Sequence, residues 1–455
     1  MFGRINHIHF VGIGGAGMSG IALVMKNLGY KVTGSDIAKT TLTQYLIKQG
    51  IKIAYKHNEK NCFGASVVVY SSAISPNNLE LNYARTHKIP VIPRAEMLGE
   101  LMRVKFSIAI SGTHGKTTTT SLISAILEEA NLHPTIIIGG KVVGTETAAK
   151  LGKSEYLIAE ADESDRSFLL LHPTITIITN IEKEHLDYYA NISQIRKAFI
   201  EFANKVPFYG SVIVNNNSPH VRTIIPYLKR DVITYGLSND ASVRAENIVM
   251  NSFHSKFTLR YDSKSFDFKI NLPGIHNIEN SLAAISVGLK LEVPFSTIQS
   301  AFEKFQGLHR RLELKDNKKG ITLYDDYAHH PTEIKATLAT LRNAYPHHRI
   351  FAVFQPHRYT RTKLLGKTFR NAFANADVAI ITDIYAASEP KIPGVSSQII
   401  IDAITKSRSH PKVIYIKKFC DINTYLLQHI KAGDVIITLG AGNIWQIGEQ
   451  LLKTL

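Results

Sequence analysis

At 455 residues the chain is too long for one hydrophobic core, so two or three domains are expected. Hydrophobic residues at 44%, charged residues at 20% and only two cysteines exclude a disulfide scaffold, and no apolar run is long enough for membrane insertion, so a cytoplasmic protein is expected. The net charge of +16 suits anionic ligands, but the basic residues form no tail or long cluster, which argues against nucleic acid as a partner.

Near the N-terminus, Ile8–Ile13 reads as a strand and Met18–Leu28 as a helix, with glycines at 12, 14, 15 and 17 between them. A second strand ends at Ser35-Asp36. Gly12-x-Gly14-x-x-Gly17 followed by an acid about twenty residues on is the dinucleotide pattern, in which backbone meets a diphosphate and carboxylate meets a ribose. Close strand–helix packing without a ligand would select the same glycines. Helix and strand patterns continue through Thr41–Gln49, Ser66–Tyr70 and Leu79–His87. Ser71, Ser72 and Arg94 follow apolar runs, at the rim where open α/β sheets bind ligands, although each also suits a cap or turn. Pro90–Arg94 and the helix after it read as a join between units.

The next stretch, Phe106–Leu127, carries the strongest chemistry. A strand at Phe106–Ile110 and a helix at Thr117–Leu127 flank Ser-Gly-Thr-His-Gly-Lys-Thr. The first N–H groups of a helix lack internal partners and point out of its positive end. Gly112 and Gly115 let the backbone wrap a polyphosphate, Lys116 reaches its outer phosphates, and the Thr117 hydroxyl suits Mg²⁺. The spacing is tighter than the usual Walker form. Strands at Tyr156–Ala159 and Ile175–Thr179 then run into Glu160-Ala161-Asp162-Glu163-Ser164-Asp165 and Asn180-x-x-x-x-His185-x-Asp187. Glu160 and His185 are candidate cation ligands, His185 the less orthodox because Mg²⁺ prefers oxygen; a merely solvated acidic loop is the alternative.

From Val243 to Leu272 strict alternation (Phe257, Leu259, Tyr261; Phe266, Phe268, Ile270) marks antiparallel hairpin strands added to the central sheet. A helix follows, with Asn277 and Asn280 near its start either reading an adenine edge or capping. After His309-Arg310-Arg311, strands at Ile321–Tyr324, Ile350–Phe354, Val378–Thr382, Val413–Ile416 and Val435–Leu439 alternate with helices, forming another doubly wound sheet. Polar groups again collect at strand ends: Asp326 and His329, then His357, Arg358 and Arg361. The last glycine turn, Gly440-Ala441-Gly442-Asn443, fits an anion or a helix start equally well.

Taken in order, HFVGIGGAGMSGIA, GSD, SGTHGKTTT, AEADESD, TNIEKEHLDYY, HNIENSLAA, HRRLE, DDYAHHPTEI, FQPHRYTRT and GAGNIW resemble the Mur ligases over essentially the whole chain. The resemblance implies three α/β domains: a Rossmann-like UDP-sugar unit (1–94), a central P-loop ATPase with the added antiparallel lobe (95–310) and a C-terminal Rossmann-like unit (311–455). It also implies closure of the three over their ligands. The implied reaction is that of the branch adding L-alanine to UDP-N-acetylmuramate, with ATP and Mg²⁺ or Mn²⁺ as cofactors. The sugar's carboxylate becomes an acyl phosphate, which the amine of alanine then attacks. By the same resemblance Gly112, Thr113, His114, Gly115, Lys116, Thr117, Thr118, Asn277, Asn280, Arg311 and Asp326 hold ATP, and Thr117, Glu160 and His185 are linked to the metal. Gly12, Gly14, Gly15, Ala16, Gly17, Asp36, His57, Ser71, Ser72 and Arg94 surround the UDP-sugar, His329 lies near the phosphates, and His357, Arg358 and Arg361 serve alanine. Lys116, Glu160, His185, His329 and His357 are the implied catalytic set. A related branch recycles murein tripeptide onto the same sugar nucleotide, but typically with Gly-Ile-Cys-Gly where this chain has Gly12-Ile13-Gly14-Gly15. A monomer or weak homodimer is expected.

Overall fold

The computed structural model describes residues 5–138, 149–184, 188–251, 254–387, 389–408 and 411–455. Its contacts gather into two compact units, one comprising Met1–Ile248, Phe257–Lys269 and Asn277–Phe305, the other Val249–Lys256, Ile270–His276 and Gln306–Leu455. Three sheets carry the α/β fold class expected from the alternating strand and helix patterns. Among the described residues no helix is long and apolar enough to cross a membrane.

In the first unit, Val/Ile-rich runs buried on both faces give a five-stranded parallel sheet. The strand order is Lys52–Ala54, Lys31–Ser35, His7–Val11, Val67–Tyr70, Val91–Pro93. The chain winds one way from the central strand and then the other, so the order reverses between His7–Val11 and Val67–Tyr70. The carboxyl ends at that reversal form the crevice where such sheets take ligands. Within the Pro90–Arg94 segment Val91–Pro93 is the edge strand, the position where a missing proline N–H is harmless, and Arg94 opens the helix Arg94–Arg103, which leads to the second sheet.

A second sheet of ten strands runs Lys264–Ile270, Ser255–Tyr261, Val243–Met250, Asp231–Gly236, Ser211–Asn215, Ile175–Ile178, Phe106–Ser111, Tyr156–Glu160, Thr135–Ile137, Ala149–Lys150. Its middle is parallel. The added lobe is present: Asp262 and Ser263, both at positive φ, turn one strand into the next, and Phe257 stacks on Phe268 with ring centroids 5.7 Å apart. The first two sheets share one hydrophobic core, which runs from Ile8, Phe10 and Met18 through Leu98 and Leu101 to Ala159, Phe168 and Phe202. Gly99 allows this, because a Cβ there would strike the Leu170 carbonyl.

The second unit holds a six-stranded sheet ordered Glu313–Lys318, Ile321–Asp326, Val435–Leu439, Ile350–Phe354, Val378–Ile381, Lys412–Tyr415. Apolar clusters cover both faces, around Phe354, Phe369 and Phe373 on one and Phe351, Ile380 and Ile447 on the other. Glu313–Lys318 is antiparallel, with a register shift between Leu314 and Asp316. Its charged sequence hides it as a strand, yet charges and bulges are what protect a sheet edge from pairing with other chains.

Candidate active site

The helix Lys116–Glu129 starts directly after the Phe106–Ser111 strand, and the turn between them has two glycines in conformations that other residues resist. Gly112 has φ 126° and Gly115 φ 83°. A Cβ on Gly112 would collide with the Thr179 hydroxyl, and one on Gly115 would lie 2.5 Å from Asn280 Oδ1. The turn is held from behind by the end of the neighbouring strand. His114 N–H donates to Asn180 Oδ1 at 2.8 Å, the Thr179 hydroxyl donates to His114 O at 2.6 Å, and Glu182 N–H donates to the Thr113 hydroxyl at 3.0 Å. Asn280, on the helix Ile275–Lys290, accepts from the Thr119 hydroxyl at 3.2 Å and donates to Asn277 Oδ1 at 3.4 Å. Asn277 and Asn280 thus stand beside the turn as a buried amide pair and not as exposed caps. Thr117 and buried Thr118 occupy the first helical turn.

Lys116 folds back over the turn, donating to Gly112 O at 2.5 Å and to both oxygens of Glu163 at 2.9 and 3.2 Å. Burial alone would depress its pKa, but the charges of Glu163, Asp162 and Glu160 outweigh that and raise it. The amine is therefore a fixed cation among carboxylates at the mouth of an N–H-lined turn. These features fit a polyphosphate with its counter-cation. Thr117 and Glu160, at the end of Tyr156–Glu160, supply hard oxygen donors of the kind Mg²⁺ takes. His185 lies outside the described residues. Glu163 carries no signal of its own in the sequence, being one acid among several, and Asn180 is marked only by its place at a strand end.

In the first sheet, Gly12 (φ 80°) and Ile13 donate their N–H groups to Ser35 O at 2.9 and 3.1 Å, tying the Gly12–Gly17 turn to the second strand. Asp36 accepts from Gly14 N–H at 2.8 Å and from Ala38 N–H at 3.1 Å, so in this state its carboxylate organises the turn. A Cβ on Gly17 would lie 2.6 Å from Arg94 Nη1, which puts that guanidinium at the start of the helix Ala16–Asn27. A Cβ on Gly12 would lie 3.3 Å from Ser71 Cβ. Gly15 precedes the helix as its N-cap, and Ser72 is exposed in the turn after Val67–Tyr70. His57 meets Ser35 Oγ through Nδ1 at 3.2 Å. The structure therefore gathers Gly12, Gly14, Gly17, Asp36, Ser71, Arg94 and His57 around one crevice.

In the second unit, Asp326 is 6% exposed and accepts from Ala328 N–H at 2.8 Å, and from Leu312 N–H and the Thr337 hydroxyl at 3.0 Å each. Burial raises its pKa to about 6 against the opposing pull of Arg311. Arg311 lies over the Tyr327 ring at 5.4 Å and 4.0 Å from Glu333. His329 Nδ1 donates to Tyr327 O at 3.0 Å, and its ring is 5.7 Å from that of His357. His357 stacks on Tyr385, centroids 5.7 Å apart and planes 10° from parallel, and its Nδ1 accepts from Arg361 Nη1 at 3.0 Å. Burial, then the charges of His329, Arg361 and Arg358, push its pKa down to about 3. Arg358 has φ 69°, a strained conformation for a non-glycine residue, fixed by donation of its N–H to Tyr385 O at 2.8 Å. Sequence reading passes over Arg310, whose guanidinium spans Asp325 at 2.9 Å and the carbonyls of Gly440 at 2.6 Å and Gly442 at 3.3 Å. That ties the last glycine turn to this end of the sheet.

Three family descriptions match successive parts of the chain: "Mur ligase family, catalytic domain" residues 7–106, "Mur ligase middle domain" residues 110–288, and "Mur ligase, glutamate ligase domain" residues 310–442. Proteins named UDP-N-acetylmuramate–L-alanine ligase from Trichlorobacter lovleyi and Pelobacter propionicus are each 49% identical to it. The first match covers 100% of both chains, the second 100% of this chain and 99% of the relative. The crystal structure of UDP-N-acetylmuramate-alanine ligase MurC from Thermotoga maritima superposes with a TM-score of 0.79 at 27% identity, covering 99% of each chain. With sequence and fold in agreement from end to end, the chain belongs to the Mur ligase family.

Proposed function

We propose that the chain joins L-alanine to UDP-N-acetylmuramate at the expense of ATP. The observation that carries this reading is the Lys116-centred glycine turn, housed in the same compact unit as the Gly12–Gly17 crevice. The two turns suit a nucleoside triphosphate and a sugar nucleotide. Relatives 49% identical over their full length bear the alanine-adding name, which favours that branch over the tripeptide-recycling one.

A carboxylate attacking a polyanion must overcome charge repulsion, so catalysis here is mainly positioning and cationic stabilisation. Lys116 exchanges its hydrogen bonds with Glu163 for the outer phosphates of ATP, and the N–H groups of the 112–117 turn hold the phosphates in line. Thr117 and Glu160, with His185, are the residues that would hold Mg²⁺ or Mn²⁺, which when bound offsets the negative charge of the phosphates. Asn277 and Asn280 take the nucleotide beside the turn, and Arg311, Asp326 and His329 are further nucleotide residues in this reading. The lactyl carboxylate receives the γ-phosphoryl group and ADP departs; the alanine amine then attacks the acyl carbon and expels phosphate. Arg358 and Arg361 bind the alanine carboxylate, since a guanidinium fork engages both oxygens. His357 orients Arg361. Burial and the neighbouring charges hold its pKa down at about 3, which favours this orienting role over proton transfer. The cytoplasm, where the nucleotide pools are, is the place of work, and the functional form is a monomer or weak homodimer.

Phosphate release measured with UDP-N-acetylmuramate and a panel of amino acids and murein tripeptide tests the reading. Turnover should require the sugar nucleotide and L-alanine together. A preference for tripeptide would assign the recycling activity, and stimulation by single-stranded DNA alone would overturn the ligase assignment.

A further inference from the structure

Beneath the Gly12–Gly17 crevice lies a carboxylate that the proposed chemistry does not use. Glu80, in the first turn of the helix Leu79–Thr86, is fully buried. It accepts from the Ser35 hydroxyl at 2.5 Å, Asn61 Nδ2 at 2.5 Å and Asn58 N–H at 3.1 Å, and meets His9 Nε2 at 3.5 Å. Behind it, His9 Nδ1 and His7 Nε2 share the Thr33 hydroxyl at 2.8 Å each. Burial would protonate Glu80, but the hydrogen bonds from His9, Ser35 and Asn61 outweigh it and hold the pKa at about 2. The neighbouring Cys62 thiol is pushed up to about 12 by burial and by the Glu80 charge, so it stays protonated. Because protein donors already engage both carboxylate oxygens, the group formed by His9, Cys62 and Glu80 is a hydrogen-bond network and not a cation cage.

This network dictates the tautomer of His57. Ser35 has one hydroxyl proton, and it goes to Glu80 at 2.5 Å. The 3.2 Å contact between Ser35 Oγ and His57 Nδ1 is then a hydrogen bond only if Nδ1 carries a proton and donates. The same nitrogen lies 3.5 Å from Glu80 Oε2, a carboxylate that favours the same proton. With Nδ1 protonated, a neutral ring has its lone pair on Nε2. Nδ1 faces a carboxylate with 0% exposure, while the His57 side chain keeps 20% of its surface open. The Ser35 carbonyl, in turn, receives the N–H groups of Gly12 and Ile13, which places the assembly directly under the turn.

We propose that Glu80 is a positioning residue for sugar-nucleotide binding: through Ser35 it fixes His57 with its proton on Nδ1, so that Nε2 presents an acceptor to an N–H or O–H donor of the uridine. This rests on the crevice taking UDP-N-acetylmuramate. A buried carboxylate orienting a histidine is a recurrent device for locking ring and tautomer. Here it selects the kind of atom the ligand must offer.

The test is calorimetric titration of the full-length protein with UDP-N-acetylmuramate, UDP, N3-methyl-UDP and 2′-deoxy-UDP, combined with ¹⁵N spectra of the His57 ring. Glu80→Gln and Ser35→Ala should each weaken UDP binding about tenfold, the loss of one directed hydrogen bond. Adding His57→Ala to either should produce no further loss, and kcat at saturating sugar nucleotide should change less than twofold. The His57 spectrum should move away from the Nδ1–H pattern in both variants, and one of the two blocked analogues should bind wild-type protein as weakly as UDP binds Glu80→Gln. Ser35→Ala keeps the test open should Glu80→Gln fail to fold. An unchanged tautomer, or losses that add to that of His57→Ala, would overturn the proposal. Wild-type protein that binds UDP with the predicted His57 response, but does not bind UDP-N-acetylmuramate, would overturn the ligase reading and leave the positioning role standing.

Discussion

Lys116 Nζ lies 2.9 Å from Glu163 Oε2, a carboxylate only 2% exposed. Removing the lysine takes that cation away from a buried carboxylate. Lys116→Ala is therefore expected to abolish phosphate release and also to destabilise the ligand-free protein by about 3–5 kcal/mol. Lys116→Ala/Glu163→Gln should regain most of the stability and none of the activity. Because burial is outweighed and the lysine pKa is raised, the lysine's own contribution is present below its ordinary value of 10.5 and is lost as pH rises through the raised folded value. Denaturant melts and UDP-N-acetylmuramate titrations of both variants check this; loss of sugar-nucleotide binding in the stable double variant would contradict the division of roles.

Gly115 is, with Gly112, one of the two close approaches of the turn. Its φ of 83°, and the mere 2.5 Å that would separate an added Cβ from Asn280 Oδ1, leave no room for a side chain. Gly115→Ala should cut ATP affinity at least tenfold, about 1.4 kcal/mol or more, while leaving UDP binding unchanged. Fluorescent-nucleotide titration decides it, and wild-type affinity in the variant would show that the turn does not hold the phosphates.

Asp326 supplies a pH signature. Its folded pKa of about 6 exceeds the ordinary 3.8 because of burial, so the folded state binds its proton more tightly than the unfolded chain does. The sign follows: stability attached to this group is present below about pH 4 and is lost as pH rises through about 6, to a total of about 3 kcal/mol. The stability of Asp326→Asn relative to wild type should therefore improve by up to that amount between pH 4 and pH 7. A pH-independent difference in urea melts would sink this account.

For His357 the direction is opposite. Its pKa of about 3, set first by burial and then by the charges of His329, Arg361 and Arg358, means the folded ring resists protonation; its contribution to stability is present above pH 6.5 and declines as pH falls toward 3. Since the ring stays neutral across the working range, His357→Ala should raise the KM for alanine about tenfold by releasing Arg361, without moving the acidic limb of the kcat/KM profile. A shifted limb would restore the histidine as a proton-transfer group.

The sequence announced what depends on local order and hid what depends on distance along the chain. Glycines between a strand and a helix, as at Gly12–Gly17 and Gly112–Gly115, are visible because the chemistry and its backbone requirement sit in one short stretch. Glu163 and Glu80 are not visible, since each acquires its role from a partner more than forty residues away, Lys116 or Ser35. The edge strand Glu313–Lys318 is disguised by its own charges, and Pro90–Arg94 by a proline that suits an edge as well as a linker. His357 and Arg361 stand four apart and adjacent in space, but the burial that holds the histidine pKa down cannot be read from that spacing.

The apolar layer that passes beneath Gly99 makes neighbours of two sheets whose strands are otherwise separate. The span between the two glycine turns is consequently a property of the protein's interior. Neither turn can drift without tearing oily contacts that both depend on, so they should loosen and melt as one body.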